Sequence, residues 1–216
     1  MEKISQGIES LEPNIRQIEK FLSENIFPDL ERGRPNFDAP HTIAVVYHLK
    51  QILHRHPNLD AFVMVISAYA HDWGYSDIFA GDKSTLNIDD VKNAKELHMV
   101  LGAQKIRKLL REPFFDFLTN IQKARAEHLV AVHDQIERLS DEDEIVLMEA
   151  DTLGALDHTR VEPSFDLKSY LRYIQGVRNR RFPKFLDNEF LILGEEYMRN
   201  GQKFVENRDE ILFRTA

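Results

Sequence analysis

The segment AYAHDWGYSD, residues 68–77, places a histidine and an aspartate at the end of a strongly apolar run. That run predicts a buried helix, so His71 and Asp72 would both enter the protein interior. A buried carboxylate without a partner costs roughly several kcal/mol. The pair therefore indicates a site where an ionic partner compensates the buried charge.

Two further helices carry a polar residue where their apolar pattern predicts a core position. His41 opens the segment HTIAVVYHLKQIL, and Asp151 lies inside the apolar run IVLMEADTLGAL. Each residue alone is better explained as a helix cap or a hydrogen-bonded core residue. Taken together with His71 and Asp72, they supply two imidazoles and two carboxylates, a donor set that a divalent cation would satisfy.

The composition narrows the chemistry further. The chain has 216 residues and no cysteine, which excludes disulfides and thiolate metal sites and leaves His, Asp and Glu as metal ligands. A net charge of -8 argues against a general nucleic-acid-binding protein. No window approaches the roughly 18 apolar residues of a membrane span, and the first residues lack the apolar region of a signal peptide. The protein is therefore expected to be soluble and cytoplasmic.

These residues are predicted to lie on helices, because apolar residues recur at helical spacing and alternating strand patterns are scarce. The predicted fold is all-α, a compact bundle forming a single domain over residues 1–216. The helices are predicted at about 2–25, 41–53, 59–72, 88–111, 114–138, 144–156, 165–177 and 186–212. Asn58 is the predicted N-cap of the third helix, SDED at 140–143 resembles a capping box, and the polar loop 75–87 could act as a lid.

In their order and flanking residues, these four positions resemble the HD-domain superfamily of metal-dependent phosphohydrolases. The resemblance rests on DAPHTIAVV around His41, AYAHDWGY around His71 and Asp72, and EADTLGALD around Asp151. It covers about residues 38–157, to which an N-terminal helix and C-terminal helices would be added. It implies that the four residues bind a divalent metal ion. It also implies that Asp72 is the catalytic residue and bridges two ions if two are bound.

A second ion would need more histidines. His98, followed by Gly102 and Ala103, resembles an additional histidine of the family, although it could also be a surface residue of an amphipathic helix. His128 and His133 are five residues apart and diverge by roughly 140° around a helix, so they are not expected to bind one ion together. The segment LVAVHD resembles the family pattern more closely, which favours His133 as the ligand.

Two other polar residues lie on the same helices. His48 follows His41 by two helical turns, roughly 10 Å, which is too far for both to bind one ion. It is expected to be a core residue or part of a pocket wall. Glu149, next to the ligand Asp151, is a candidate to orient a metal ligand.

The resemblance implies one or two divalent ions as the cofactor, and these ligand types do not distinguish Mn, Fe, Mg, Ni or Co, with Zn also compatible. The implied substrate is a small phosphate ester, either a nucleotide or another metabolite. Its candidate contacts are Lys83 in the loop 75–87 and two arginines, Arg180 and Arg181, in RYIQGVRNRRFPK. Such a basic cluster, however, is more often part of a solvated surface. No membrane partner is expected, and the oligomeric state stays open, homo-oligomers included.

Two other functions fit the same pattern. The superfamily also contains di-iron oxygenases, whose four histidines and two aspartates resemble the six positions above. A non-catalytic, ligand-sensing module would keep the scaffold without turnover, but it would be expected to lose a metal ligand. All four signature positions are present, so this last interpretation is the weakest.

Overall fold

The computed structural model describes residues 13–34, 36–79 and 88–215. Within these ranges the protein is all-α, as predicted, and no strand is present. The helices are α1 (Ile15–Leu30), α2 (Asp38–Leu53), α3 (Ala61–Ala70), α4 (Tyr75–Ile78), α5 (Ile88–Leu109), α6 (Asn120–Val132), α7 (Glu142–Leu156), α8 (Leu167–Gly176) and α9 (Asn188–Thr215).

The first two helices differ from the prediction at their ends. Asn14 caps α1 by accepting a 3.1 Å hydrogen bond from the N–H of Gln17, whereas the predicted start near residue 2 lies outside the described residues. The predicted end of this helix near residue 25 is wrong, because α1 continues through Pro28 to Leu30. Helix α2 begins at Asp38 rather than at His41. Pro40 is compatible with this earlier start, because it lies in the first turn, where a backbone N–H has no intrahelical partner.

Caps set the limits of the central helices. Asp60, not the predicted Asn58, caps α3 by accepting hydrogen bonds of 3.0 and 3.1 Å from the next helical N–H groups. The predicted helix 114–138 is interrupted, because Thr119 caps α6 and the helix ends at Val132. At the start of α7 the Glu144 carboxylate accepts hydrogen bonds from two preceding N–H groups, at 3.0 and 3.2 Å.

The main hydrophobic core lies between α1, α2, α3, α5, α6 and α7, and α3 contributes an almost entirely buried run. Helix α2 packs along α7, and α5 packs along α6. At Gly154 the two helices α2 and α7 touch: a Cβ atom there would lie 2.7 Å from Cγ2 and 2.8 Å from the backbone N of Val45. This close approach brings the side of α2 that carries His41 against the side of α7 that carries Asp151.

A second group of buried residues joins the end of α7 to α8 and α9. Its members are Leu156, Tyr170, Ile174, Val177, Phe182, Met198 and Val205. After α8 the chain winds through a π-helical turn at Val177–Arg181, a rare element that is frequently found at functional sites. None of the described helices is both long and apolar enough to cross a bilayer.

Candidate metal centre

Six buried side chains from five segments of the bundle converge on one point. Each is 7% exposed or less. They come from α2, the ends of α3 and α6, α5, and α7. They form two groups, and within each group the possible metal-binding atoms all lie within 4.8 Å of one another. The first group is His41, His71 and Asp151, and the second is Asp72, His98 and His133.

Two of the histidines are held by the same local device. His71 and His133 follow the last residues of α3 and α6, and their Nδ1 atoms lie 2.8 and 2.9 Å from the carbonyl oxygens of Ala68 and Val130. A carbonyl oxygen only accepts, so Nδ1 carries the hydrogen in both rings. In each neutral ring Nε2 therefore carries no hydrogen, and its lone pair faces the centre, where it can bind a metal ion.

The imidazole nitrogens of each group face one another at short range. His41 Nε2 lies 3.1 Å from His71 Nε2, and His98 Nε2 lies 3.3 Å from His133 Nε2. Two lone pairs repel at such distances, so each pair needs a proton or a cation between the nitrogens. If two nitrogens each bind one ion at ~2.1 Å and the two bonds form a right angle, the nitrogens lie roughly 3 Å apart.

Asp72 connects the two groups. Its Oδ2 atom lies 3.6 Å from His41 Nε2 and 3.5 Å from His71 Nε2. Its Oδ1 atom lies 3.5 Å from His98 Nε2 and 3.6 Å from His133 Nε2. The carboxylate therefore presents one oxygen to each histidine pair, which is the arrangement a bridging ligand requires.

The other aspartate belongs to the first group alone. Asp151 Oδ1 lies 3.1 Å from His41 Nε2. Its Oδ2 atom accepts a 2.7 Å hydrogen bond from Nη1 of Arg181, which also donates to Thr152 Oγ1 at 3.0 Å. Nη2 of the same guanidinium donates to Asp134. Arg181 thus fixes the outer oxygen of Asp151 and turns the inner one toward the histidines.

A second arginine holds Asp72 in a comparable way. Arg34 Nη2 donates a 2.7 Å hydrogen bond to Asp72 Oδ2, and its Nε donates to the buried Asp38 at 2.5 Å. The guanidinium carbon lies 4.5 Å from the ring centre of Phe37 and 4.0 Å from that of Tyr75. The cation is therefore held between two rings and two carboxylates, close to both candidate metal positions.

The surroundings keep both ligand carboxylates ionised. Burial alone would raise the pKa of Asp72, but the neighbouring His71 and Arg34 side chains lower it well below its ordinary value. Burial opposes ionisation of Asp151 in the same way, and Arg181 is the main reason that the pKa of this carboxyl is also well below normal. Both aspartates are thus anionic ligands over the physiological pH range.

Burial acts oppositely on the imidazoles. It lowers the pKa of His71, and it lowers that of His98 to about 4. For His133 the neighbouring Asp72 carboxylate outweighs burial and raises the pKa. Anionic carboxylates and mostly neutral imidazoles with inward-facing Nε2 atoms are the protonation states in which these groups bind a metal. The residues therefore fit one or two divalent ions.

A pocket of about 220 Å³ opens onto this centre. Among its described lining residues are three acidic side chains, all of them held by histidines or basic residues, and several aromatic rings. The lining also contains six basic residues: Arg34, Lys92, Lys95, Arg172, Arg180 and Arg181. The excess of positive charge suits an anionic ligand.

A family model described as HD domain matches residues 39–156. The chain belongs to the HD domain family. The matched segment of this HD domain runs from α2 to the end of α7 and contains all six residues of the two groups. Arg34 and Arg181, which hold the two aspartates, lie outside it, one before and one after. Comparison with curated proteins and with solved structures returned no match.

The other candidates from the sequence have different places. His128 bonds Glu144 at 2.7 Å and lies outside the cluster. His48 is fully buried and bonds Asp157 at 3.1 Å, so it belongs to the core and not to the pocket lining. Glu149 accepts a hydrogen bond from the N–H of Leu186, and no described contact joins its carboxylate to the ligands.

The three predicted substrate contacts also differ in their locations. Lys83 lies outside the described residues, as does most of the predicted lid. Arg180 lines the pocket, and Arg181 is engaged with the aspartates behind it.

The sequence pattern did not point to Arg34 or to Asp134, although both lie beside the centre. Asp134 directly follows His133 and forms a 3.1 Å ion pair with Lys95. A second His–Asp dipeptide at 133–134 was the signal that could have identified it. Arg34 precedes Asp38 by four residues, a spacing that is common for ion pairs on protein surfaces and therefore does not indicate a buried site.

Proposed function

We propose that this HD domain protein is a phosphohydrolase that uses two divalent metal ions to cleave a small phosphate ester. The observation that carries the proposal is the position of Asp72, with one oxygen toward each histidine pair. One ion would be held by His41, His71, Asp151 and Asp72, and the other by His98, His133 and Asp72. Such ions, when bound, activate water and neutralise charge on phosphoryl oxygens.

The basic residues around the pocket support an anionic substrate. With both aspartates ionised, two divalent ions would leave the ligand set with an excess of about two positive charges, which attracts a phosphate group. Arg34 and Arg181 each have five N–H donors, and the described contacts use two and three of them respectively. The remaining N–H groups can bind oxygens of a substrate phosphate without releasing the aspartates.

In the reaction, water adds to phosphorus and the bond between phosphorus and the ester oxygen breaks. The alcohol leaves with a proton that derives from the water, and inorganic phosphate is the second product. The aspartates and histidines fix the reacting centre, and the arginines orient the phosphoryl group. Lys95 also lines the pocket, where it is paired with Asp134, and would add positive charge around the substrate.

The test is metal analysis of protein purified without added metal, followed by a panel of phosphate esters assayed with the metal found. The proposal expects up to two ions per chain and release of inorganic phosphate that stops when the metal is removed by a chelator. Two irons with oxygen-dependent turnover and no phosphate release would overturn it in favour of oxygenase chemistry. Stable metal binding without turnover of any ester would favour a sensing module.

A further inference from the structure

The outer part of the pocket contains basic groups that the reaction centre does not use. Of the six basic lining residues, Arg34, Lys95 and Arg181 are each paired with an aspartate that also lines the pocket. Arg172, on α8, donates 2.9 and 3.2 Å hydrogen bonds to Asp89 at the start of α5. This leaves Lys92 and Arg180 to be explained.

The side chains of Lys92 and Arg180 make no hydrogen bond and no ion pair within the part of the chain that the structure describes. Lys92 reaches the pocket from α5, and Arg180 reaches it from the π-helical turn. A Cβ atom at Gly176 would lie 3.5 Å from Nη2 of Arg180, and Gly176 itself lines the pocket. The guanidinium therefore lies against the pocket wall, where a bound ligand can meet it.

Two consecutive arginines of the π-helical turn line the same cavity. Arg181 is directed inward to Asp151 and Asp134, while Arg180 stays at the exposed edge of the same pocket. The rest of the pocket wall is largely apolar and aromatic and includes Val91, Phe165, Tyr173 and Val177. A ligand that fills the pocket would thus meet anchored cations near the metal centre, apolar surface, and two cations that form no ion pair among the described residues, although Lys92 lies near the Asp89 carboxylate that Arg172 binds.

We propose that Lys92 and Arg180 form a second anion subsite, and that the substrate is a phosphate ester with an apolar body and a second acidic group. The inference rests on the proposed phosphohydrolase function. The second group is a carboxylate or a further phosphate, since both accept hydrogen bonds from an ammonium and a guanidinium. Its recognition would select among phosphate esters that react equally well at the metal centre.

The experiment compares phenyl phosphate, 4-carboxyphenyl phosphate and 1,4-phenylene bisphosphate with the metal-loaded full chain at low ionic strength. The subsite predicts a kcat/KM about tenfold or more higher for an ester with a second acidic group, because one charge-assisted hydrogen bond supplies an effect of this size. The ester with the larger gain shows whether carboxylate or phosphate is the preferred group. The gain should shrink as salt is added, because the two cations are exposed.

Lys92→Met and Arg180→Gln should each lower the ratio between the acidic ester and phenyl phosphate toward one. Lys108→Met on the same helix and Arg178→Gln in the same turn are matched controls, because neither residue lines the pocket, and the ratio should not change in either. Equal kcat/KM for all three esters in the wild type would overturn the subsite while leaving the phosphohydrolase function intact. Hydrolysis of none of the three with metal bound would count against the proposed function itself and remove the basis of the subsite.

Discussion

Arg34 donates a 2.7 Å hydrogen bond to Oδ2 of Asp72, the same oxygen that faces His41 and His71. A buried cation and the proposed metal ion thus share one carboxylate oxygen. In metal-free protein the arginine is a permanently charged partner that bonds Asp72 directly, whereas a bound metal ion would take over much of that role. Substitution of the arginine should therefore affect the two states unequally.

Arg34→Met should lower the free energy of unfolding of the metal-free protein by about 3 kcal/mol, because it leaves Asp38 and Asp72 buried without their cation. With saturating Mn²⁺ the loss should be smaller. Denaturant titration in EDTA and in Mn²⁺ measures both. The control is Arg32→Met, which removes an exposed pair with Asp29 and should change stability by about 0.5 kcal/mol or less in both conditions. An equal loss with and without metal would argue against Asp72 as a ligand.

The second histidine pair predicts a change in stoichiometry. His98→Gln or His133→Gln should reduce the bound metal from two ions to one per chain, because each change removes a ligand of the second position only. Elemental analysis of dialysed protein gives the ratio. His128→Gln is the matched control, since His128 lies beside Glu144 and away from the cluster, and it should keep two ions. Loss of one ion in His128→Gln, with both ions kept in His133→Gln, would show that the ligand assignment on α6 is wrong.

The contact between α2 and α7 predicts a sensitive glycine. Gly154→Ala should destabilise the protein by about 1–3 kcal/mol, because the added Cβ would lie 2.7 Å from Val45 Cγ2 and the backbone of α2 cannot yield easily. Metal affinity should fall as well, since α2 and α7 carry His41 and Asp151. Gly176→Ala is the control for stability, because its Cβ would meet only the flexible Arg180 at 3.5 Å. A stabilised Gly154→Ala protein would contradict the described packing.

A buried pair away from the metal centre predicts a pH effect on stability. Burial alone would raise the pKa of Asp157, but hydrogen bonds from His48 and Thr159 lower it below the ordinary value. A carboxyl with a lowered folded-state pKa stabilises the protein above the unfolded value of about 3.9, and this contribution is lost as the pH falls through the folded pKa.

Asp157→Asn should therefore cost about 1–3 kcal/mol at pH 7. The difference from the wild type should shrink at pH 3, below the unfolded-state pKa of about 3.9, because the unfolded wild-type carboxyl then binds a proton that the folded one resists. Urea unfolding of both proteins at the two pH values measures this. A constant difference at both pH values would mean that the charge of Asp157 contributes nothing and that only the geometry of its hydrogen bonds does.

The sequence predicted the all-α fold and the positions on which the centre depends, because a polar residue inside an apolar helical run is visible without coordinates. His41, His71, Asp72 and Asp151 carried this signal. The resemblance added His98 and His133, and the structure places both beside Asp72.

The supporting residues could not be predicted, because their roles depend on contacts between distant segments. Arg34 reaches Asp72 across 38 positions, and Arg181 reaches Asp134 across 47. Nothing in the local sequence distinguishes these arginines from their exposed neighbours Arg32 and Arg178. Helix ends were missed for a similar reason, since competing caps such as Asn58 and Asp60 differ only in which backbone N–H groups they meet.

The most direct test of the account is the metal content and the phosphatase activity of Asp72→Asn, measured on the same preparation. The change keeps the shape of the side chain but removes the charge and one of the two oxygens that face the histidine pairs. The variant should lose at least one ion and the release of phosphate. Asp77 is an exposed neighbour paired with Lys105, and Asp77→Asn should retain both. An Asp72→Asn protein that keeps two ions and full activity would contradict it.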